Sequence, residues 1–329
     1  MWVVRIEECS LQDVPLVGGK CASLGELARA GKNVPPGFAV TAEAYRRFLL
    51  GSPAAGEVAR LAASVPPGAD ASAYSEVARA IRGIILSSPV PAEVAAAVRQ
   101  AYAALCRRCG QDEVPVAVRS SSVSEDSASA SFAGQHETFL NVRGGEDVLA
   151  KTLECWASLF SAPALHYRAA RGFDPAGPAM AVGIQKMVDS RSSGVVFTVD
   201  PVAGDPSKIV VEGAWGLGEG IVSGEVTPDH FTVDKETLVL CQSWISPKTV
   251  EFVPDPRTGL TVRREVPAEL REAPCLGPEE LRRLCQIAVE IERHYGRPQD
   301  IEWAVERQVP FPQNIAVLQS RPVTAWGDR

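Results

Sequence analysis

The sequence predicts an α+β protein in which helices dominate the first half and strands dominate the second. Helical periodicity recurs between residues 41 and 160, whereas short β-branched and aromatic runs recur from residue 179 onward. Runs of helices followed by runs of strands are typical of α+β folds. The 329 residues suffice for one large domain or two ordinary ones with a substantial core.

The helices of the first half are placed by their start and stop signals. Gly31 ends a short amphipathic helix over 20–30, and Gly110 ends an Ala-rich helix over 91–109. The other predicted helices span residues 41–50, 75–86 and 146–160. The Ala-, Pro- and Gly-rich stretch 51–73 predicts a loose and exposed connector.

The strands of the second half are separated by turn signals such as Asp205-Pro206 and Pro228-Asp229. The predicted strands are AMAVGIQKMV, SGVVFTVD, KIVVEGAWGLGEG, DHFTVD and LVLCQSW. A helix over 278–296 then leads into the last segment of the chain.

The stretch VGGKCASLG, residues 17–25, places a lysine behind two glycines and suggests a phosphate-binding loop. The P-loop motif needs a glycine at position 14 and a serine or threonine at position 21, and the chain has Val14 and Cys21. The P-loop interpretation therefore fails. Spacing alone favours Lys20 as a surface lysine at the start of a helix.

A serine-rich segment follows the short predicted strand VPVAVRS, with seven serines between Ser120 and Ser131. Such a composition is typical of a disordered linker. The strand-like run ETFLNV follows at once, however, and Ser/Gly-rich loops between strands often place amides and hydroxyls over phosphates. Both interpretations stay open on composition alone.

The C-terminal segment PQDIEWAVERQVPFPQNIAVLQSRPVTAW predicts a hairpin, broken by prolines at 310–312. A turn centred there would set Glu302 opposite Gln319 and Asp300 opposite Arg321. Two carboxylates, an amide oxygen and a guanidinium would then share one face. Oxygen ligands suit Mg²⁺, and arginine binds phosphate in a bidentate manner. The alternative is a solvated face with cross-strand ion pairs.

The overall charge excludes some classes of function. The formal net charge is −7 and the pI about 5.3, which argues against general nucleic-acid binding but allows a local phosphate site. No apolar run is long enough to span a bilayer, and MWVVRIEECS lacks the pattern of a signal peptide. We therefore expect a soluble, cytoplasmic enzyme that binds neither nucleic acid nor membrane.

The eight cysteines predict reduced thiols, because they are scattered and follow no secretion signal. Cys106 and Cys109 form a C-x-x-C pair at the end of a helix. A zinc site would need a second such pair, and Cys275 with Cys285 has the wrong spacing. A redox pair would open a helix rather than close one. We expect no metal or redox role for this pair.

Several long stretches resemble, in order, the sequence of one known family. They are GGKCASLGEL, VPPGFAVTAEAY, VAVRSSSVSEDSASASFAGQHETFLNV, SLFSAPALHYRAARG, AVGIQKMV, SSGVVFTVDP, GAWGLGEGIVSGEVTPDHF, HYGRPQDIEWA and LQSRPVT. Together they resemble the N-terminal ATP-binding domain of phosphoenolpyruvate synthase, which also occurs in pyruvate phosphate dikinase and rifamycin phosphotransferase. The resemblance implies an ATP-grasp fold, in which two α+β lobes with antiparallel sheets clasp ATP. We expect the lobes at residues 1–178 and 179–329.

The resemblance also assigns roles to individual residues. Lys20 and Arg119 match phosphate-contacting positions with a part in catalysis, and Arg321 matches the catalytic arginine. The segment 119–140 matches a flap over the phosphates, and residues 185–188 match the strand and linker on the adenine side. The implied ATP-binding residues are Lys20, Arg119, Gly134, Gln135, Thr138, Gln185, Lys186, Val188, Glu302, Gln319 and Arg321.

The cofactor that the resemblance implies is Mg²⁺, with ATP as the substrate. Glu302 and Gln319 match the metal ligands, and Asp300 is close by. These are residues that the hairpin register, argued from spacing, places on one face.

The family reaction implies partners for this chain. In that reaction a histidine on a separate swivelling domain attacks the β-phosphorus of ATP, AMP leaves, and later loss of the γ-phosphate leaves phosphohistidine. The histidine stands in a motif like T-x-G-G-x-T-x-H, which this sequence lacks; its histidines are His136, His166, His230 and His294. We therefore expect a separate phosphohistidine domain or subunit, and a separate acceptor-binding domain or subunit.

The resemblance favours a phosphoryl-donating module or subunit of a dikinase. The chain could instead be a subunit of a phenylphosphate synthase-like split enzyme, or the ATP domain of a longer phosphoenolpyruvate synthase or antibiotic phosphotransferase. A non-catalytic ATP sensor is the alternative of another class. Intact Lys20, Glu302, Gln319 and Arg321 argue against the sensor, because a degenerate binder could lose them.

Overall fold

The computed structural model describes residues 1–52, 54–123, 137–174, 179–255 and 257–323. The chain divides into two compact units. The first comprises Met1–Glu26 and Pro36–Met187, and the second comprises Leu27–Pro35 and Val188–Arg329. Each unit has an antiparallel sheet and a hydrophobic core, which confirms the predicted α+β class.

The first unit is built on a five-stranded sheet. Its strands are β1 (Val3–Arg5), β2 (Gly37–Val40), β3 (Val116–Ser122), β4 (Thr138–Val142) and β5 (Met180–Lys186). Their order is β1-β2-β5-β3-β4, and every neighbouring pair is antiparallel. Val118 of β3 is opposite Ile184 of β5, and both face the main core of this unit. The residues next to them in sequence, Arg119 and Gly183, face the other side.

Helices pack on both faces of this sheet. They are α1 (Val14–Arg29), α2 (Ala42–Leu50), α3 (Ala54–Ser64), α4 (Ala71–Ser87), α5 (Ala92–Cys109), α6 (Gly145–Ser158) and α7 (Ala162–Arg171). Phe48, Ile81 and Trp156 of this group are buried in the main core. The first turns of α1 lie on the opposite face, where Cys21 packs with Ala39 of β2. The helix predicted over 20–30 is thus observed as the larger part of α1.

One loop prediction in the first half is wrong, and a second places the start of its loop too early. The connector over 51–73 contains α3, which buries Val58 and Ala62, an apolar pair four residues apart on one helix face. The first serines of the predicted loop extend β3 to Ser122 and are buried. Backbone pairing of β3 with β5 on one side overrides the loop-like composition.

The second unit contains a six-stranded sheet and a separate hairpin. Its strands are β6 (Ser190–Phe197), β7 (Lys208–Trp215), β8 (Asp229–Asp234), β9 (Leu240–Trp244), β10 (Val250–Pro254), β11 (Thr261–Glu265), β12 (Gln299–Glu306) and β13 (Ile315–Pro322). The large sheet has the antiparallel order β13-β12-β6-β7-β8-β9, and β10 pairs with β11. Helix α9 (Pro278–Tyr295) buries Leu284 and Ile291 against Trp303 of β12. A single turn, α8 (Glu219–Val222), follows β7.

The division into units differs from the predicted boundary between residues 178 and 179. Strand β5 pairs with β2 and β3, so it belongs to the first unit, and the division falls after Met187. Leu27–Pro35 joins the second unit, where Leu27 is buried and the Val317 amide donates to the Asn33 carbonyl oxygen (2.9 Å). A strand pattern shows that a segment is extended but not which sheet it joins, and this explains the difference.

Among the described residues, no single helix is long and apolar enough to cross a membrane. Helices α4 and α5, with a bend of 80° between them, satisfy the length and composition criteria only as a pair.

Candidate functional site

The glycine-lysine stretch is held against the end of β3. Gly18 interrupts α1 with φ of 73°, and a Cβ there would lie 2.0 Å from the Ser121 carbonyl oxygen. Only glycine fits this point without moving β3. The Ser121 hydroxyl donates to the Val17 carbonyl oxygen (2.8 Å) and accepts from the Cys21 amide (3.2 Å). These contacts fix the chain on both sides of Lys20.

Lys20 and Arg119 lie close together in the first unit. Lys20 Nζ donates to the carbonyl oxygen of Ser120 (3.2 Å), the residue that follows Arg119 in β3. Arg119 is directly opposite Thr138 on β4 and Gly183 on β5. Opposed residues have Cβ atoms about 5 Å apart and share a face of the sheet. The first unit thus brings together three predicted phosphate-site residues, Lys20, Arg119 and Thr138.

Sequence reasoning missed the residues that position Lys20. The sequence places Ser121 in a predicted loop and gives Gly183 no role. A Cβ at Gly183 would lie 2.9 Å from Cys21 Sγ, so this glycine allows α1 to pack closely on β5. A glycine inside a strand signals close approach of another element, and Gly183 stands within the strand-like run AVGIQKMV.

Two other residues of the predicted flap, Gly134 and Gln135, lie outside the described residues, as does His136. The described ends of the flap segment 119–140 are strand residues, Arg119 in β3 and Thr138 in β4. The segment therefore starts and finishes on neighbouring strands of one sheet.

The predicted adenine-side residues lie where the chain passes from one unit to the next. Gln185 is buried in β5 opposite Gly37, and the Lys186 amide donates to the carbonyl oxygen just before β2 (2.9 Å). Val188 is buried in the second unit, in a small apolar cluster with Ala304. Gln185 and Lys186 therefore belong to one unit and Val188 to the other.

The C-terminal hairpin has the predicted register where the polar residues lie. Glu302 of β12 is opposite Gln319 of β13, and Asp300 is opposite Arg321. These four residues therefore share a face of the six-stranded sheet. Their side chains are on the face opposite to the one that α9 covers. Ile301, between the two carboxylates, points to the other face and is buried in the main core of the second unit.

A β-bulge after Glu302 determines which way Gln319 faces. Beyond it Trp303 is opposite Val317, so Leu318 is the extra residue of β13. Val317 is buried in the main core with Trp303, whereas Leu318 packs on the opposite face. A regular strand alternates its faces with a period of two, so Gln319 would point into the main core without the bulge.

Asp300 and Arg321 form an ion pair across the hairpin. Arg321 Nε donates to Asp300 Oδ2 at 2.8 Å, so the cross-strand pair considered as an alternative is present. Burial raises the pKa of Asp300 above its usual value, and the Arg321 guanidinium partly opposes this rise. A divalent cation would favour the ionised carboxyl in the same way as Arg321 does.

The donor set on the hairpin fits Mg²⁺ better than a softer metal. Asp300, Glu302 and Gln319 offer two carboxylates and an amide oxygen on one face. The described residues contain no group of three or more His, Cys, Asp or Glu side chains placed to hold a metal. An ion on the hairpin would therefore draw its other ligands from water and phosphate, as Mg²⁺ commonly does.

The cysteine pair closes α5. Cys106 is buried and Cys109 is partly exposed, and burial raises the pKa of the Cys109 thiol. A raised pKa lowers the fraction of reactive thiolate at neutral pH. None of the eight cysteines, all of which lie in the described part of the chain, is in a disulfide.

The three described histidines lie in different surroundings. His166 of α7 contacts the Tyr74 ring edge to face, with centroids 5.1 Å apart. His230 of β8 has Nδ1 at 3.5 Å from a carboxylate oxygen of β7, and His294 lies against Tyr295 near the end of α9.

A fully buried ion pair in the second unit was not expected from the sequence. Lys248 Nζ donates to Asp229 Oδ1 and to the Ser246 carbonyl oxygen (3.0 Å), and neither charged side chain is exposed. Asp229 also accepts from the amides of Ser246 (3.0 Å) and Cys275 (2.8 Å). Every oxygen of this carboxylate is thus hydrogen bonded. Asp229 and Lys248 are 19 residues apart in the sequence, and no local pattern marks them as partners.

Comparison with known proteins identifies the family. The family model for the pyruvate phosphate dikinase AMP/ATP-binding domain matches residues 14–329. A probable phosphoenolpyruvate synthase of Staphylothermus marinus is 42% identical over 100% of this chain and 42% of its own length. The phosphoenolpyruvate synthase of Aeropyrum pernix is 42% identical over 98% of this chain and 42% of its own. A probable phosphoenolpyruvate synthase of Methanothermobacter thermautotrophicus is 43% identical over 99% of this chain and 46% of its own.

The chain thus spans less than half the length of these relatives. The family resemblance predicted from the sequence is confirmed, and the mixed α+β fold with antiparallel sheets agrees with the ATP-grasp class. The chain belongs to the family of the pyruvate phosphate dikinase AMP/ATP-binding domain.

Proposed function

We propose that this chain binds ATP with Mg²⁺ and donates a phosphoryl group to a histidine on another domain or chain, with release of AMP. The observation that carries the proposal is the hairpin register, which sets Asp300, Glu302, Gln319 and Arg321 on one face of the sheet. Family membership supports ATP as the ligand, and relatives named phosphoenolpyruvate synthase support phosphotransfer.

The first unit would supply cations for the phosphates. Lys20 acts as a compact point charge on a side chain directed to the end of β3, and Arg119 offers a planar set of donors for phosphate oxygens. Thr138, opposite Arg119, adds a hydroxyl donor. Positive charge and donors at fixed positions are the main requirements of phosphoryl transfer.

The second unit would supply the metal ligands and a guanidinium. Mg²⁺, when bound, would neutralise charge on the phosphates. Asp300, Glu302 and the side-chain oxygen of Gln319 would hold it. Arg321, which donates to Asp300 in this structure, would then direct donors toward charge that develops on the transferred group.

The proposed step conserves atoms and charge in the following way. A histidine nitrogen of the partner forms a bond to the β-phosphorus, and the bond from that phosphorus to the oxygen shared with the α-phosphate breaks. AMP leaves with the electron pair, and the β- and γ-phosphates remain on the histidine. Water then attacks the γ-phosphorus of the pyrophosphorylated histidine, the bond to the oxygen shared with the β-phosphate breaks, inorganic phosphate leaves, and phosphohistidine remains. Exclusion of water from the reacting group protects ATP from hydrolysis.

Binding is tested by thermal unfolding of the full chain with ATP, GTP or AMP, each with and without Mg²⁺. ATP at a hundredfold excess over Kd should stabilise the fold by about 2.7 kcal/mol. Glu302→Ala and Gln319→Ala should remove the part that depends on Mg²⁺, whereas Arg293→Ala, at an exposed position of α9, should change nothing. Absence of any shift at millimolar ATP would contradict the proposal.

Transfer is tested by mixing the chain with a separate histidine-bearing domain of a relative and ATP labelled at the β-phosphate. We expect AMP and a labelled histidine domain. Arg321→Ala should slow labelling more than it weakens ATP binding, because its donors are proposed to act in the transition state. Rapid formation of ADP, or label on a histidine of this chain, would show a self-contained kinase or hydrolase instead.

A further inference from the structure

A buried arginine in the first unit lacks acceptors for most of its donors. Arg168 lies on α7 and is 3% exposed. Its Nη1 donates to the Leu159 carbonyl oxygen (2.8 Å), and its guanidinium carbon lies over the Phe160 ring, 5.5 Å from the centroid. Its Nε and Nη2 are buried with no hydrogen-bond partner in the described residues. Buried polar groups are rarely left in this state.

Three further donors around Arg168 share this condition. The Tyr45 hydroxyl, Trp156 Nε1 and the Ser161 hydroxyl are buried and have no hydrogen-bond partner within the described part of the chain. The rings of Tyr45 and Trp156 meet edge to face, with centroids 5.8 Å apart. Trp156 lies one helical turn before Phe160, and Ser161 comes directly after it. Trp156 and Ser161 therefore lie near the junction of α6 and α7, and Tyr45 of α2 reaches Trp156 through its ring.

The two open donors of Arg168 form the edge of the guanidinium that binds anions. Nε and Nη2 project side by side and take a carboxylate or a small anion in a bidentate manner. In the same unit Arg99 uses this edge on Glu146, with Nε to Oε1 at 2.6 Å and Nη2 to Oε2 at 2.9 Å. On Arg168 no described carboxylate occupies the equivalent edge.

Electrostatics favour an anion over water at this edge. Burial lowers the pKa of Arg168 to about 10, and the charges of the Tyr45 and Asp174 side chains oppose this effect. Burial also raises the pKa of Tyr45, so its hydroxyl is a donor at neutral pH. Water would accept hydrogen bonds from the donors but would bring no negative charge. An anion would accept the same hydrogen bonds and also offset the buried positive charge.

We propose that the first unit binds one small monovalent anion, of chloride or formate size, held by Arg168, Tyr45 and Trp156. Aromatic rings lie beside these donors, since Phe48 stacks on Trp156 with centroids 5.1 Å apart and Phe160 lies against Arg168. Such surroundings disfavour a large or multiply charged anion, whose desolvation would be costly. The anion would connect α2, α6 and α7 through one buried charge.

The first test is thermal unfolding of the full chain in sodium chloride, formate or gluconate at fixed ionic strength. Chloride and formate should raise Tm by about 2–4 °C with saturation, while gluconate, which is too large for the site, should not. An equal Tm in all three salts would overturn the proposal, because general ionic screening does not distinguish them.

The second test uses variants that remove one donor each. Arg168→Met should abolish the chloride-dependent rise in Tm, whereas Arg171→Met, at an exposed position of the same helix, should keep it. Tyr45→Phe, which removes only a hydroxyl, should raise the chloride concentration at half-saturation about five-fold. Tyr45→Phe keeps the test decisive if Arg168→Met does not fold. An unchanged half-saturation in Tyr45→Phe would remove this hydroxyl from the site.

The third test locates the anion directly in crystals of the full chain soaked in sodium bromide. An anomalous bromide peak within about 3.5 Å of Arg168 Nε is expected. Water density at that position in place of bromide would show that the donors are hydrated, and the proposal would be wrong.

Discussion

Two buried cations in this chain, Lys248 and Arg168, are accommodated in opposite ways. Lys248 of the second unit donates to the Asp229 carboxylate and to a carbonyl oxygen, and the carboxylate also accepts from two backbone amides. Arg168 of the first unit has one carbonyl oxygen and an aromatic ring, and its anion-binding edge has no acceptor among the described residues. The first cation has a carboxylate partner, whereas the second has two buried donors with no acceptor among the described residues.

The difference shows what a buried charge can indicate. A buried cation whose carboxylate partner is itself hydrogen bonded has its counter-charge within the fold. A buried cation without a paired carboxylate among the described residues indicates a candidate site for an anion. Substitutions that remove each cation should therefore have effects of different size and different dependence on solution conditions.

The largest effect is expected for Lys248→Met. This change leaves the Asp229 carboxylate buried without its cation and should lower the free energy of unfolding by about 3–5 kcal/mol in urea denaturation. Lys235→Met is the matched control, because Lys235 pairs with Glu292 at 3.0 Å at a partly exposed position. A loss as small as that of the control would mean that the buried pair contributes little.

The second effect comes from removing both charges of the pair. Asp229→Asn combined with Lys248→Met should recover about 1–2 kcal/mol of the loss caused by Lys248→Met alone, because no orphan carboxylate remains. The recovery is measured by a double-mutant cycle in urea. Simple additivity of the two single losses would show that the cost lies in packing rather than in the unpaired charge.

The third effect, for Arg168→Met in chloride-free buffer, should be no more than about 1 kcal/mol. The variant loses the hydrogen bond to Leu159 but also loses a desolvated charge, and the two terms oppose each other. Added chloride should then increase the difference in the free energy of unfolding between the variant and the parent chain, as measured by urea denaturation. A loss near that of Lys248→Met without chloride would break the comparison between the two cations.

The smallest effect is expected for a surface arginine. Arg60 of α3 has Nη2 at 3.8 Å from Glu57 Oε1, and both side chains are well exposed. Arg60→Met should therefore change the free energy of unfolding by less than about 1 kcal/mol, and that change should shrink in high salt. Urea denaturation at low and high salt measures this change. A change that is the same at both salt concentrations would mean that this pair behaves like the buried pair of Lys248 and Asp229.

Local signals predicted the elements of the fold better than their partners. Gly110 and Gly296 take left-handed conformations at the ends of α5 and α9, as their positions in the sequence indicate. Strand β5 was recognisable as a strand, but its pairing with β2 involves residues far away along the chain. Helix α3 was missed because flanking Pro and Gly residues obscured the apolar pair that it buries.

The candidate site divides in the same way. The pairing of Glu302 with Gln319 was predictable because a hairpin joins strands that are close in sequence. The Ser121 hydroxyl accepts a hydrogen bond from the Cys21 amide, beside Lys20, and these two residues are 100 positions apart in the sequence. No local pattern marks such a contact, and the buried edge of Arg168 is equally invisible in a helix that is ordinary in composition.

Because of the β-bulge in the C-terminal hairpin, one residue can be deleted without changing the face of the sheet on which the neighbouring side chains lie. No residue of β12 pairs with Leu318, so deletion of Leu318 should leave Gln319 opposite Glu302 and Arg321 opposite Asp300. Deletion of Ser320 would instead rotate Arg321 toward the core. A deletion at position 318 should therefore preserve the polar face of this strand, whereas a deletion at position 320 should destroy it.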